Sequence, residues 1–95
     1  MIEPASYEVS VMGQRFTVEH VQNLTIEGER CEGGMYLSER FIRIDDAMRY
    51  QESRYNRVLK HELMHAALGI SGLTELLDEK TEEAICVLVE SISIK

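Results

Sequence analysis

His61, Glu62 and His65 stand in the order H-E-x-x-H within LKHELMHAAL, residues 59–68. Two imidazoles four positions apart on a helix are about 40° apart around its axis, with Cβ atoms roughly 5–6 Å apart. Both can therefore aim a ring nitrogen at one ion. Glu62 is rotated by about 100° from His61, which sets its carboxylate beside such an ion rather than on it. A general base that takes a proton from a metal-activated water belongs there. The chemistry suggested is zinc-assisted hydrolysis, with His61 and His65 as metal ligands and Glu62 as the catalytic base.

The residues around this trio make the motif more than a spelling. Leu59, Leu63, Ala66, Ala67 and Ile70 fall on the side of the helix away from His61, and Val58, Met64 and Leu68 flank it. A helix apolar nearly all round is expected to be buried on both faces. Polar groups buried there without partners cost about 1–3 kcal/mol each. One zinc ion satisfies both histidines and gives Glu62 a role. The competing possibility is a metal-free interaction protein whose core happens to satisfy two histidines.

A catalytic zinc takes three protein ligands and keeps one position open. The HExxHxxGxxH arrangement is excluded, since Leu68 and Ser71 occupy the two positions it requires. His20, the remaining histidine, falls in an N-terminal strand and reads as a strand-face residue. A carboxylate near the C-terminus is left, from Glu79, Glu82 or Glu83. In the segment EEAICVLVESI, Ile85, Leu88, Val89 and Ile92 share one helical face. Glu82 lies about 70° from the centre of that face and Glu83 nearly opposite it. Glu82 is therefore the preferred third ligand and Glu83 the runner-up, expected to face water.

These residues must be positioned by a small fold. A chain of 95 residues suits one domain, 1–95, with a modest core to which a bound metal would add stability. Alternation in YEVSVMGQRFTVEHV predicts a hairpin turning at Gly13–Gln14, and NLTIEGE a weaker strand. In CEGGMYLSERFIRID, Gly33–Gly34 reads as a turn, MYL as a short strand and FIRI as a firmer one. The second half reads as helix: Glu52 to about Ile70, then a connector with one short turn, then a last helix capped by Thr81. Strands over 1–45 followed by helices over 46–95 predict an α+β domain, with helices packed on a small, mostly antiparallel sheet.

Charge and composition exclude several functions. With 17 acidic against 10 basic residues the net charge is −7, which argues against a nucleic-acid groove. No apolar run approaches the length of a membrane span, and no leader pattern opens the chain. Cys31 and Cys86 form no CxxC pair and read as reduced thiols in a cytoplasmic protein.

Three stretches, GGMYLSERFIRID, RVLKHELMHAAL and TEEAICVLVESI, together resemble the gluzincins, zinc peptidases with HExxH on one helix and a glutamate ligand on the next. The chain looks most like the small ImmA/IrrE-type or minigluzincin proteins of phages and bacterial mobile elements, over about residues 33–95. The resemblance implies a peptide or protein substrate laid along the MYL strand, Zn2+ held by His61, His65 and Glu82, and Glu62 as base. Two departures stand out. No His or Tyr follows His65 to steady an oxyanion, which leaves Tyr36, Tyr50 and Tyr55 as the candidates. Cys86 stands where relatives often carry Asn or Asp. A zinc-stabilised binding or regulatory module without hydrolysis is the second functional class.

Overall fold

The computed structural model describes Ile2 and residues 5–92; Met1, Glu3, Pro4 and residues 93–95, the ends of the expected 1–95 domain, lie outside the described residues. Strands β1 (Ser6–Val11) and β2 (Gln14–Val21) pair as an antiparallel hairpin. The turn expected at Gly13–Gln14 falls one residue earlier, on Met12 and Gly13, whose φ angles are 49° and 81°. A two-residue hairpin turn with both φ positive favours glycine at its second position, which Gly13 supplies. β3 (Thr25–Ile26) and β4 (Glu29–Arg30) form a separate small hairpin.

β5 (Gly33–Tyr36) and β6 (Phe41–Asp45) complete the main sheet, in the order β1-β2-β6-β5. Gly33 and Gly34, expected as a turn, are the first residues of β5 and pair with Ile44 and Arg43. Space explains their place in a strand. A Cβ on Gly33 would stand 2.6 Å from Val58 Cγ1, and one on Gly34 2.5 Å from Ile26 Cδ1. Close approach of a neighbouring element is what glycine within a strand permits. β2 and β6 run parallel while the other two pairings are antiparallel, so the sheet is mixed and mostly antiparallel, with β5 at one edge.

One face of the sheet carries the core. Phe16, Val18, Ile42 and Ile44 are fully buried there against Tyr55, Val58 and Ala66 of helix α1 (Glu52–Ser71). A 3-10 turn, Asp46–Tyr50, leads into α1, and Asp45 caps that turn by accepting from Ala47 N. Gly72 ends the helix in the left-handed conformation, φ 83°. After a short turn at Leu73–Glu75 comes α2 (Glu79–Glu90). Its cap is Asp78 rather than Thr81: Asp78 Oδ1 accepts from Thr81 N at 2.7 Å, so the helix begins three residues before the expected start. This hydrogen bond holds the Asp78 carboxyl below its usual range. The protein is thus an α+β fold, with α1 packed on one mixed sheet and α2 packed on α1.

α2 corrects one expectation. Leu88 and Ile92, placed inward by the apolar pattern, are 68% and 53% exposed, while Cys86 is fully buried. With Cys86 as the centre of the inward face, Glu82 and Glu90 lie about 40° to either side, Glu83 about 60° away, and Leu88 about 160° away. The helix turns its acidic side toward α1. Among the described residues, no helix is long and apolar enough to cross a membrane.

Candidate metal centre

α1 offers two different faces to its neighbours. Tyr55, Val58, Glu62 and Ala66, spaced three and four apart, form the stripe against the sheet, and all four are buried. His61 and His65 stand on the side covered by α2, with ring centroids 5.0 Å apart. Glu62 is thus at the seam between sheet and helix pair. Its side chain lies against Gly33, where an added Cβ would be 3.3 Å from Glu62 Oε2. Only a glycine in β5 leaves that room.

Every ring nitrogen of the two histidines meets a carboxylate from α2. His61 Nδ1 donates to Glu90 Oε2 at 2.6 Å, and His65 Nδ1 donates to Glu82 Oε2 at 2.6 Å. The Nε2 atoms share a single residue: Glu83 Oε1 is 2.8 Å from His61 Nε2, and Glu83 Oε2 is 3.3 Å from His65 Nε2. The Cys86 thiol is also close, since the donor atoms of His61, His65 and Cys86 all lie within 4.8 Å of one another.

The two Nδ1 contacts are hydrogen bonds, whereas the Nε2–Glu83 pairs are close approaches without hydrogen-bond alignment. A divalent ion would be held by the two Nε2 atoms, leaving each Nδ1 to its outer carboxylate. Metal-bound histidines commonly have this form, a carboxylate fixing the tautomer from behind. Glu62, Glu82, Glu83 and Glu90 also concentrate negative charge that a cation would offset. The donor set fits a metal ion.

Burial shapes the acidity of two groups at this centre. Burial raises the Glu62 carboxyl above its ordinary value, the two histidines oppose the rise, and Glu83 and Glu90 add to it. Burial, followed by the charges of Glu83, Glu82, Glu62 and Glu90, pushes the Cys86 thiol up to about 12. Both cysteines are free thiols.

The structure brings His61, Glu62 and His65 together and sets Glu82 among them, though on the outer nitrogen of His65. Glu83, expected to face water, is 53% exposed yet reaches both inner nitrogens. Glu79 lines a recess of about 310 Å³ beside His65, with Thr74, Leu77, Glu82 and Glu83. Cys86 and Glu90 were not singled out as site residues from the sequence. Their signal was a polar stripe of period four, Glu82, Cys86 and Glu90, on a helix whose larger apolar residues sit elsewhere.

The other candidates lie away from the centre. His20 Nε2 is 2.6 Å from Tyr55 Oη, which is 2.7 Å from Tyr7 Oη, a network that ties β1 and β2 to the first turn of α1. Tyr55 is therefore engaged elsewhere, and burial raises its hydroxyl's pKa above the ordinary value. Tyr50 is 66% exposed. Tyr36 stacks under Arg43 on the outer face of the sheet, beside Phe41. A larger recess of about 400 Å³, lined by Val11, Met12, Leu63, Met64, Ala67 and others, holds none of the centre's residues.

No protein-family model, curated protein or solved structure matches this chain.

Proposed function

We propose that this chain is a minimal zinc-dependent metallopeptidase of the gluzincin kind. One observation carries the reading: two Nε2 atoms face one carboxylate while both Nδ1 atoms are held by others. Zinc suits such a mixture of nitrogen, oxygen and sulfur donors. His61 and His65 hold the ion, and Glu83 takes the third-ligand role for which Glu82 was preferred. Glu82 and Glu90 fix the tautomers and orientations of the two rings from behind.

A bound zinc ion supplies Lewis acidity toward a peptide carbonyl and makes a water more acidic. The chain's own residues do the rest. With zinc bound, Glu62 would be placed to accept a proton from an attacking water and to return it to the departing amine. Burial raises its carboxyl above the ordinary value, which makes it a stronger base for that task. Beside Glu62 is a cleft of about 250 Å³ lined by Glu32, Gly33, Val58, His61 and Glu90. Its wall includes the start of edge strand β5, along which an extended peptide can pair by backbone hydrogen bonds. Two free thiols fit the reducing cytoplasm as the compartment.

The test compares the chain with Glu62→Gln, using metal analysis of native protein and a library of unstructured peptides. Both proteins should carry one zinc, and only the parent should cleave. A parent without zinc removes the proposal. Cleavage by the variant at the parent's rate removes Glu62 as base, and a zinc-loaded parent that cleaves nothing leaves a zinc-stabilised binding module in its place.

A further inference from the structure

We propose that Cys86 is an inner ligand of this centre, filling its fourth position so that the thiolate must leave before water can reach the ion. The inference rests on the metal-centre reading and adds a regulation to it. Cys86 is completely buried, and its sulfur belongs to one cluster of donor atoms with His61 and His65, none farther than 4.8 Å from another. Zinc–nitrogen and zinc–sulfur bonds of about 2.0–2.1 and 2.3 Å give a tetrahedral N–S edge of about 3.6 Å. The observed N–S spacing is thus at most about 1.2 Å too wide, a gap that an approach of α2 to α1 would close.

The helix order supports the same assignment. Glu82, Cys86 and Glu90 follow one another at intervals of four along α2. The two outer members spend their carboxylates on the Nδ1 atoms of His65 and His61. Cys86 lies between them on the same stripe, its sulfur within 4.8 Å of a ring nitrogen of each histidine. A buried cysteine with no chemical task behaves as a small hydrophobe among hydrophobes; here its neighbours include two imidazoles and acidic side chains. Four protein ligands describe a closed, structural zinc site, and three with an open position a hydrolytic one. Cys86 can move the centre between the two. Coordination releases the thiol proton to solvent, and departure of the sulfur takes one back.

Cobalt(II) is the probe, because it accepts zinc's tetrahedral ligand sets and its spectrum reports sulfur. The chain has two cysteines, so Cys31→Ser isolates Cys86. The Cys31→Ser protein with one cobalt should show a near-ultraviolet thiolate-to-cobalt charge-transfer band. Adding Cys86→Ser should abolish the band and weaken zinc binding by more than the roughly 10–100-fold that loss of an outer-shell partner costs. Cobalt bound to Cys31→Ser without the band overturns the role of Cys86 and leaves the histidine centre standing. Failure of that protein to bind cobalt at all overturns both. The Cys31→Ser spectrum decides the question even if the double variant does not fold.

Discussion

Glu83 touches both histidines at their inner nitrogens, with Oε1 2.8 Å from His61 Nε2 and Oε2 3.3 Å from His65 Nε2. Glu82, its neighbour in sequence, touches only the outer nitrogen of His65, at 2.6 Å. Two adjacent glutamates thus stand in different relations to the same pair of rings, and the difference orders their expected effects. Glu82→Gln should weaken zinc binding by about 10–100-fold, as loss of an outer-shell partner does. Glu83→Gln should weaken it further. Competitive zinc titration of the two variants measures both; a larger loss in Glu82→Gln would return the third-ligand role to Glu82.

Zinc should be worth a large share of the fold's stability. At free zinc about 100 times its dissociation constant, mass action adds about 2.7 kcal/mol. In a chain of this size each kcal/mol moves Tm by about 4–8 °C, so chelation should lower Tm by roughly 10–20 °C. Calorimetry with and without chelator checks this. His61→Ala together with His65→Ala should remove the difference.

Gly33 is expected to tolerate no side chain. An alanine methyl would lie 2.6 Å from Val58 Cγ1 and 3.2 Å from Glu62 Cγ, within a packed seam between β5 and α1. Gly33→Ala should cost about 1–3 kcal/mol, the usual range for overpacking. Glu62 would be displaced while His61 and His65 are not, so hydrolysis should fall more than zinc affinity. Denaturant unfolding and zinc titration of the same variant separate the two effects, and unchanged stability would show that the seam has slack.

The Tyr7–Tyr55–His20 network is a second place where polar groups are buried. Tyr55→Phe removes the shared partner of Tyr7 and His20. Leaving those groups unsatisfied should cost about 1–3 kcal/mol. Equilibrium unfolding of the variant measures the loss, and a value near zero would place the network in contact with water.

The same network predicts an acid sensitivity. Burial lowers the pKa of His20 from 6.5, outweighing a hydrogen bond with the Ala5 backbone that acts to raise it. The unfolded chain therefore takes up this proton more readily than the folded one. His20's full contribution to stability is present above pH 6.5 and is lost as pH falls from there toward its lower folded value. His20→Gln should flatten that part of the stability–pH curve, measured on metal-free protein so that zinc release does not intrude. An unchanged slope would count against His20 as its source.

Much of this protein was legible along the chain. HELMH carries its own geometry, because helical spacing alone puts His61 and His65 on one face and Glu62 beside them. The strand segments, the long helix and the α+β class followed from alternation and from a stretch free of breakers, whereas Gly33–Gly34 read as a turn and lies in β5. Local rules decide such features, since each depends on residues close in sequence. The shifted turn at Met12–Gly13 and the Asp78 cap were small errors of the same local kind, one residue and three residues wide.

What only the tertiary structure decided lies between elements. The parallel pairing of β2 with β6 joins strands far apart in the chain, and no local pattern encodes it. The rotation of α2 is the deeper case. Its apolar residues point to a face containing Leu88 and Ile92, yet the helix buries Cys86 and turns Glu82, Glu83 and Glu90 toward the histidines. Hydrophobic periodicity assumes that a helix packs against apolar surface. Here the surface it meets carries two imidazoles, and the contacts of Glu82, Glu83 and Glu90 with them go with the side that faces in.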